Sequence, residues 1–162
     1  MIKYLNHALT FAEVPDEVAL CINVTNCPHK CPGCHSPELR EDIGYDLEAA
    51  LPGLLREYIG AITCVCLMGE GNDIDALRQC LSVIKCSGLK TCLYTGCDRP
   101  SEVLQALPYL DYLKLGHYDR DLGGLANQAT NQKMYRLCFE PSNHTYPSFF
   151  DITWKFWPKE SP

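Results

Sequence analysis

Four short stretches read as strands: VALCINV (18–24), rich in β-branched and apolar types, ITCVCLMG (62–69), a continuous apolar run, LKTCLYTG (89–96) and DYLKLG (111–116). Runs of this length without polar alternation suit parallel strands covered on both faces. Helical spacing appears between them. From Asp46, the positions Leu47, Ala50, Leu51, Leu54, Leu55 and Tyr58 repeat at helical intervals, with Pro52 and Gly53 expected to kink or delay the helix. Asn72 is the candidate cap of a second helix, with its stripe at Ile74, Leu77, Leu81 and Ile84. SEVLQALP (101–108) reads as a short third helix. Strand, loop and helix recur at intervals of roughly 25 residues, which predicts an α/β domain with a parallel sheet.

Beyond Gly116 the pattern gives way to HYDRDLGGLANQATNQ, whose glycines and asparagines suit a long surface loop of the kind that carries function. KMYRLCFE (133–140) reads as a further strand. The tail ITWKFWP alternates Ile152, Trp154 and Phe156 against Thr153, Lys155 and Trp157, which predicts an edge strand; an aromatic docking surface is the other reading.

Composition narrows this picture. The chain has 162 residues, 46% of them apolar, and a formal net charge of −6. That is the size of one domain, expected to span 1–162. Its basic residues form no run, so direct nucleic-acid binding is not expected. The N-terminal stretch lacks the apolar core of an export signal, and no apolar run is long enough to cross a bilayer. A soluble cytoplasmic protein is expected. Eleven cysteines, an odd number without an export signal, point to a reducing compartment rather than a disulfide framework. Cys21, Cys64, Cys66 and Cys92 in strand-like runs, and Cys80 and Cys86 in a helical pattern, read as small buried apolar residues. Cys97 and Cys138 lie next to loops, and their context leaves both readings open.

The remaining cysteines sit together. CPHKCPGC (27–34) places Cys27, Cys31 and Cys34 in a C-x3-C-x2-C array directly after the first strand. Structural zinc needs four ligands, so it would have to recruit His29, His35 or a distant cysteine. A ferredoxin run carries its fourth cysteine nearby, whereas here the next one is Cys64. Three thiolates on a 4Fe-4S cluster would leave the fourth iron open to an exogenous chelator. Pro28, Pro32 and Gly33 suit a stiff, tight loop with close backbone approach.

This array, after the first strand of an α/β domain, resembles the radical S-adenosylmethionine superfamily. More closely, CPHKCPGCHSPEL, MGE (68–70), YTG (94–96) and DYLKLGHYDRDLGGLANQATNQKMYRL resemble the small activating proteins of anaerobic ribonucleoside-triphosphate reductases, over nearly all of residues 18–137. The resemblance implies a partial, open parallel β/α barrel. It implies a 4Fe-4S cluster on Cys27, Cys31 and Cys34, with S-adenosyl-L-methionine chelating the open iron. Gly33, Cys34 and His35 then flank the cofactor, and Met68, Gly69 and Glu70 stand where the family's Gly-Gly-Glu stretch meets its ammonium group. Met68 departs from that pattern, and so does AEVPDEVAL (12–20), which replaces a glycine-rich segment ending in arginine.

The implied reaction is reductive cleavage of the cofactor to methionine and a 5'-deoxyadenosyl radical, which abstracts hydrogen from a glycine of the large reductase subunit. Electrons would come from a donor such as flavodoxin or ferredoxin. Two other readings stand beside it: an activase of another glycyl-radical enzyme, of the formate lyase type, and a zinc-stabilised binding module. The NQ-x2-Y block at 131–135 favours the reductase type over the former.

Overall fold

The computed structural model describes residues 1–158, apart from the side chains of 143–145; residues 159–162 of the expected domain lie outside the described residues. One mixed sheet of eight strands organises the chain. In chain order these are β1 (Lys3–Thr10), β2 (Ala19–Val24), β3 (Tyr45–Asp46), β4 (Cys64–Met68), β5 (Lys90–Tyr94), β6 (Tyr112–Leu115), β7 (Lys133–Glu140) and β8 (Asn143–Asp151). Helices α1 (Leu47–Glu57) and α2 (Ile74–Cys86) complete the regular structure. The spatial order β3-β1-β2-β4-β5-β6-β7-β8 leaves the sheet open, with β3 and β8 at its edges.

The four predicted strands form the parallel centre, β2-β4-β5-β6. Their alternation divides two apolar layers. Leu20, Ile22, Val65, Leu67, Leu93 and Leu113 face α1 and α2 in an aliphatic core. Residues of opposite parity form the second face, where Cys21, Cys66, Cys92 and Tyr112 stand in register across the sheet. Val14, Leu125 and Met134 pack on that face, together with the partly buried Ile152 and Phe156. Burial pushes up the thiols of Cys64, Cys66 and Cys92, and Cys21 rises through its contact with Cys66 and its own burial, so these groups stay protonated. This agrees with their reading as small core residues. Cys80 is likewise buried, but Cys86 is exposed at the end of α2.

The helices start at side-chain caps. Asp46 accepts from Ala49 N at 3.1 Å, and α1 passes through Pro52 without stopping. Leu47, Leu51 and Leu54 fix it to the sheet, while Pro52 and Gly53 lie on its exposed side. For α2 the cap is Asp73, not Asn72, accepting from Ala76 N at 3.0 Å; Ile74, expected in the apolar stripe, is largely exposed.

Three further expectations are corrected. Residues 101–108 contribute no α-helix but parts of two 3-10 turns, Pro100–Val103 and Leu107–Tyr109, because Pro100 and Pro108 bracket a segment too short to sustain one. The tail is not the edge strand. That place belongs to β8, which the sequence pattern left unassigned, while Thr153–Phe156 is a 3-10 turn. Asp151 Oδ1 accepts from Thr153 N at 2.9 Å, and Thr153 Oγ1 accepts from Met134 N at 2.9 Å, ending the strand. Trp154 is left 58% exposed. Finally, β1, also unassigned from the pattern, pairs antiparallel with β2.

Glu17 locks the N-terminal end of the parallel strands. Its side chain is only 3% exposed, and it accepts from Thr63 Oγ1 at 2.6 Å, from Tyr112 Oη at 2.7 Å and from Lys90 Nζ. Burial alone would raise its pKa, but the bonds from Lys90, Thr63 and Tyr112 outweigh it and hold the carboxyl below its ordinary value of about 4.5. A depressed carboxyl stabilises the fold above that ordinary value, and the contribution disappears as pH falls through the lower folded value. Glu17→Gln should therefore lower stability near neutrality by about 1–3 kcal/mol, and urea melts should show a shallower loss of stability below pH of about 4.5. An unchanged acid limb would overturn this role.

Candidate functional site

The parallel register brings Asn23, Met68, Tyr94 and Lys114 to one level, so the segments after β2, β4, β5 and β6 converge at the C-terminal ends of the strands. In open α/β sheets ligands bind at such ends. All the predicted site residues lie in or beside these segments.

The cysteine loop is closed by its own backbone. Thr25 Oγ1 donates to Ile43 O at 2.7 Å, Asn26 N to Glu41 O at 2.9 Å, and Cys27 N to Leu39 O at 3.0 Å. The chain therefore returns beside its own start, and Cys27, Cys31 and Cys34 project from one compact loop, each half-buried. Cys34 N donates to Cys31 O at 3.3 Å, making a turn in which Gly33 takes a left-handed φ of +72°. A Cβ at Gly33 would stand 2.7 Å from Arg120 Nε, so the guanidinium lies directly over this backbone. Arg40 also donates to Cys31 O. The Cys27 thiol donates to His29 O at 3.6 Å, and burial raises its pKa.

Among the described residues, the His, Cys, Asp and Glu sets whose donor atoms all lie within 4.8 Å of one another do not include Cys27, Cys31 and Cys34 together. Around a single tetrahedral zinc, sulfurs stand about 3.8 Å apart. At least one pair of these sulfurs is therefore farther apart than one zinc would hold it.

After β4, Gly69 has φ +117° and its N donates to Tyr94 O at 2.9 Å; a Cβ there would lie 3.2 Å from Val24 O. Met68 turns to the second face, where Cys66 Sγ lies 3.5 Å from its sulfur. The methionine is thus accommodated by the sheet. Glu70 then points inward at 12% exposure: Oε1 pairs with His29 Nε2, and Oε2 is buried without a partner.

The segment after β5 adds a residue that the sequence pattern left open. Cys97 Sγ is 3.7 Å from His29 Nε2 and 3.7 Å from Glu70 Oε1. Burial pushes its thiol up to about 11. Thr95 Oγ1 accepts from Cys97 N at 2.9 Å, and Gly116 N donates to Cys97 O at 2.7 Å, so both flanks are fixed. Beneath them Lys114 is buried, with Nζ donating to Gly116 O at 2.6 Å and Thr95 O at 3.4 Å; burial lowers its pKa to about 8. Lys114 lay inside an apolar run, and nothing in its spacing marked it.

His35 meets the long loop: its Nε2 is 2.9 Å from Tyr118 Oη, and the rings are 4.7 Å apart. The long loop thus reaches the cysteine loop through Tyr118 and Arg120. The tail does not join the site; its aromatic side chains line a groove of about 850 Å³ with Phe11 and Pro15.

Comparison of the chain with protein-family models, with curated proteins and with solved structures gives no match. No helix among the described residues is long and apolar enough to cross a membrane.

At Gly96 the backbone abuts the His29 ring, because a Cβ there would fall 2.6 Å from it. Gly96→Ala should push the imidazole away from Glu70 and Cys97, and the His29 ring resonances should shift while α2 keeps its hydrogen-exchange protection. Unmoved His29 resonances would show that the ring is not seated against this backbone.

Proposed function

We propose that this chain is a radical S-adenosylmethionine activating enzyme of the type serving anaerobic ribonucleoside-triphosphate reductase. One observation carries the reading: a single closed loop at a strand end presents three half-buried thiols, beside a buried carboxylate with one unpartnered oxygen. A polynuclear iron-sulfur cluster, each cysteine on its own iron, suits such a donor set. The open sheet with four central parallel strands supports the partial-barrel architecture.

Cys27, Cys31 and Cys34 would hold a 4Fe-4S cluster. When bound, the cluster and S-adenosyl-L-methionine supply one-electron reductive cleavage and a carbon radical that takes hydrogen from a glycine of the large reductase subunit, with flavodoxin or ferredoxin as electron source. The chain's own residues position and shelter that chemistry. Glu70 Oε2, buried without a partner, would accept from the cofactor's ammonium, while Oε1 keeps His29 in place. Gly69 gives the backbone close approach after β4, and Gly33 and His35 flank the last thiol. Lys114 puts a positive group under the loops and fixes two of their carbonyls. Tyr118 and Arg120 cover the outer side of the cysteine loop and limit water there.

Anaerobically reconstituted protein should be brown, hold about four irons per chain and form 5'-deoxyadenosine from S-adenosylmethionine. Replacing Cys27, Cys31 or Cys34 by Ala should remove the iron, whereas Cys80→Ala, on the buried face of α2, should keep it. Colourless protein with a zinc that is lost on replacing Cys27, Cys31 or Cys34 but kept in Cys97→Ser would instead establish the zinc-stabilised module. With the anaerobic reductase added, a glycyl radical should appear by electron paramagnetic resonance and vanish in Cys31→Ala; cofactor cleavage without that radical would overturn the choice of partner.

Glu70→Gln should retain the iron but weaken S-adenosylmethionine binding by roughly ten- to a hundred-fold, the size expected for a charge-assisted contact. Equal affinity in both proteins would remove Glu70 from the cofactor site.

A further inference from the structure

We infer that His29, Glu70 and Cys97 form a second metal site, which shares His29 with the three-cysteine loop but none of its thiols, and that takes one zinc-class divalent ion. His29 Nε2, Glu70 Oε1 and Cys97 Sγ all lie within 4.8 Å of one another, and each comes from a different strand-end segment. The neutral alternative for such a trio is a thiol nucleophile activated by a carboxylate-oriented histidine. That arrangement needs the thiol and the carboxylate on opposite ring nitrogens. Here both approach the same nitrogen, Nε2. One proton cannot serve both contacts, so the geometry is that of donors converging on a common centre.

The spacing agrees with tetrahedral coordination. Metal bonds of about 2.3 Å to sulfur and 2.0–2.1 Å to imidazole nitrogen put the two donors about 3.6 Å apart. Cys97 stands 3.7 Å from His29 Nε2 and 3.7 Å from Glu70 Oε1. The histidine and carboxylate are closer together than a shared ion allows, so they must separate on loading; Glu70 Oε2 is unpartnered and free to turn with the carboxylate. Thiolate, imidazole and carboxylate together select zinc over magnesium or calcium. Binding displaces the Cys97 proton, and three protein donors leave a fourth position open. Gly96 and the Thr95 hydroxyl fix the approach of two donors: the glycine lets its backbone abut the His29 ring, and the hydroxyl holds Cys97 N. The site needs none of Cys27, Cys31 and Cys34, but it uses Glu70, so the ion and the cofactor contact proposed above exclude one another at that carboxylate.

Cobalt(II) is a suitable probe, since a thiolate on tetrahedral cobalt gives a charge-transfer band and visible d-d bands. The chain with Cys27, Cys31 and Cys34 all changed to Ser, titrated anaerobically, should bind one equivalent with both signals. Adding Cys97→Ser should abolish the charge-transfer band, and His29→Ala or Glu70→Gln should each weaken binding at least tenfold. Zinc should displace the cobalt stoichiometrically. If the triple variant fails to fold, the native chain should bind one sulfur-ligated equivalent more than Cys97→Ser alone. Absence of cobalt binding, or a charge-transfer band that survives Cys97→Ser and disappears with the exposed Cys86→Ser, would overturn the assignment.

Discussion

The common level at which four parallel strands end is the constraint on which the rest of this molecule depends. Parallel pairing fixes Asn23 beside Met68, Met68 beside Tyr94 and Tyr94 beside Lys114. A slip of one residue would exchange the two faces of a strand and set its following segment on the wrong side. Leucine and isoleucine under the helices, and the smaller cysteines behind them, make such a slip costly, because neither set would fit the other's layer. The core thereby positions the loops. His29, Glu70 and Cys97, distant in sequence, meet because their strands end together.

Much of this fold was legible in the chain. Buried parallel strands carry a strong signal, since both faces demand apolar residues, and all four appeared within a few positions of their observed bounds. The antiparallel flanks were harder. β1 alternates buried and exposed positions irregularly, with a register shift between Tyr4 and His7 against β2, so its period is blurred. β8 contains a proline and follows a turn, features that argue against a strand except at an edge. Conversely, the apparent alternation of the tail was accidental: Ile152 and Phe156 reach the core through a 3-10 turn stabilised by Asp151 and Thr153.

The site divides in the same manner. Residues close in sequence announced themselves, because a C-x3-C-x2-C array has few other physical uses. Glu70 was found only through its likeness to a known stretch, and Cys97 was left open because one cysteine beside a loop has no pattern. Their relation to His29 is a fact of tertiary convergence. A reading that marked every polar or sulfur-bearing residue just beyond a buried parallel strand would have gathered Glu70, Cys97 and His117 together, although it would still have missed Lys114 within β6.

The segment between β1 and β2 restricts how anything large could approach. Val14 is fully buried against the second face, the Tyr94 hydroxyl donates to Glu13 O, and Lys155 pairs with Asp16. The second face of the sheet is thus covered by the chain's own residues as far as Tyr94. Under the proposed reading, a reductase could not lay an extended strand along that face. It would have to offer the tip of a tight bend, inserted from above and no deeper than the strand ends, so the depth of insertion is set by the activase and only the shape of the tip by its partner.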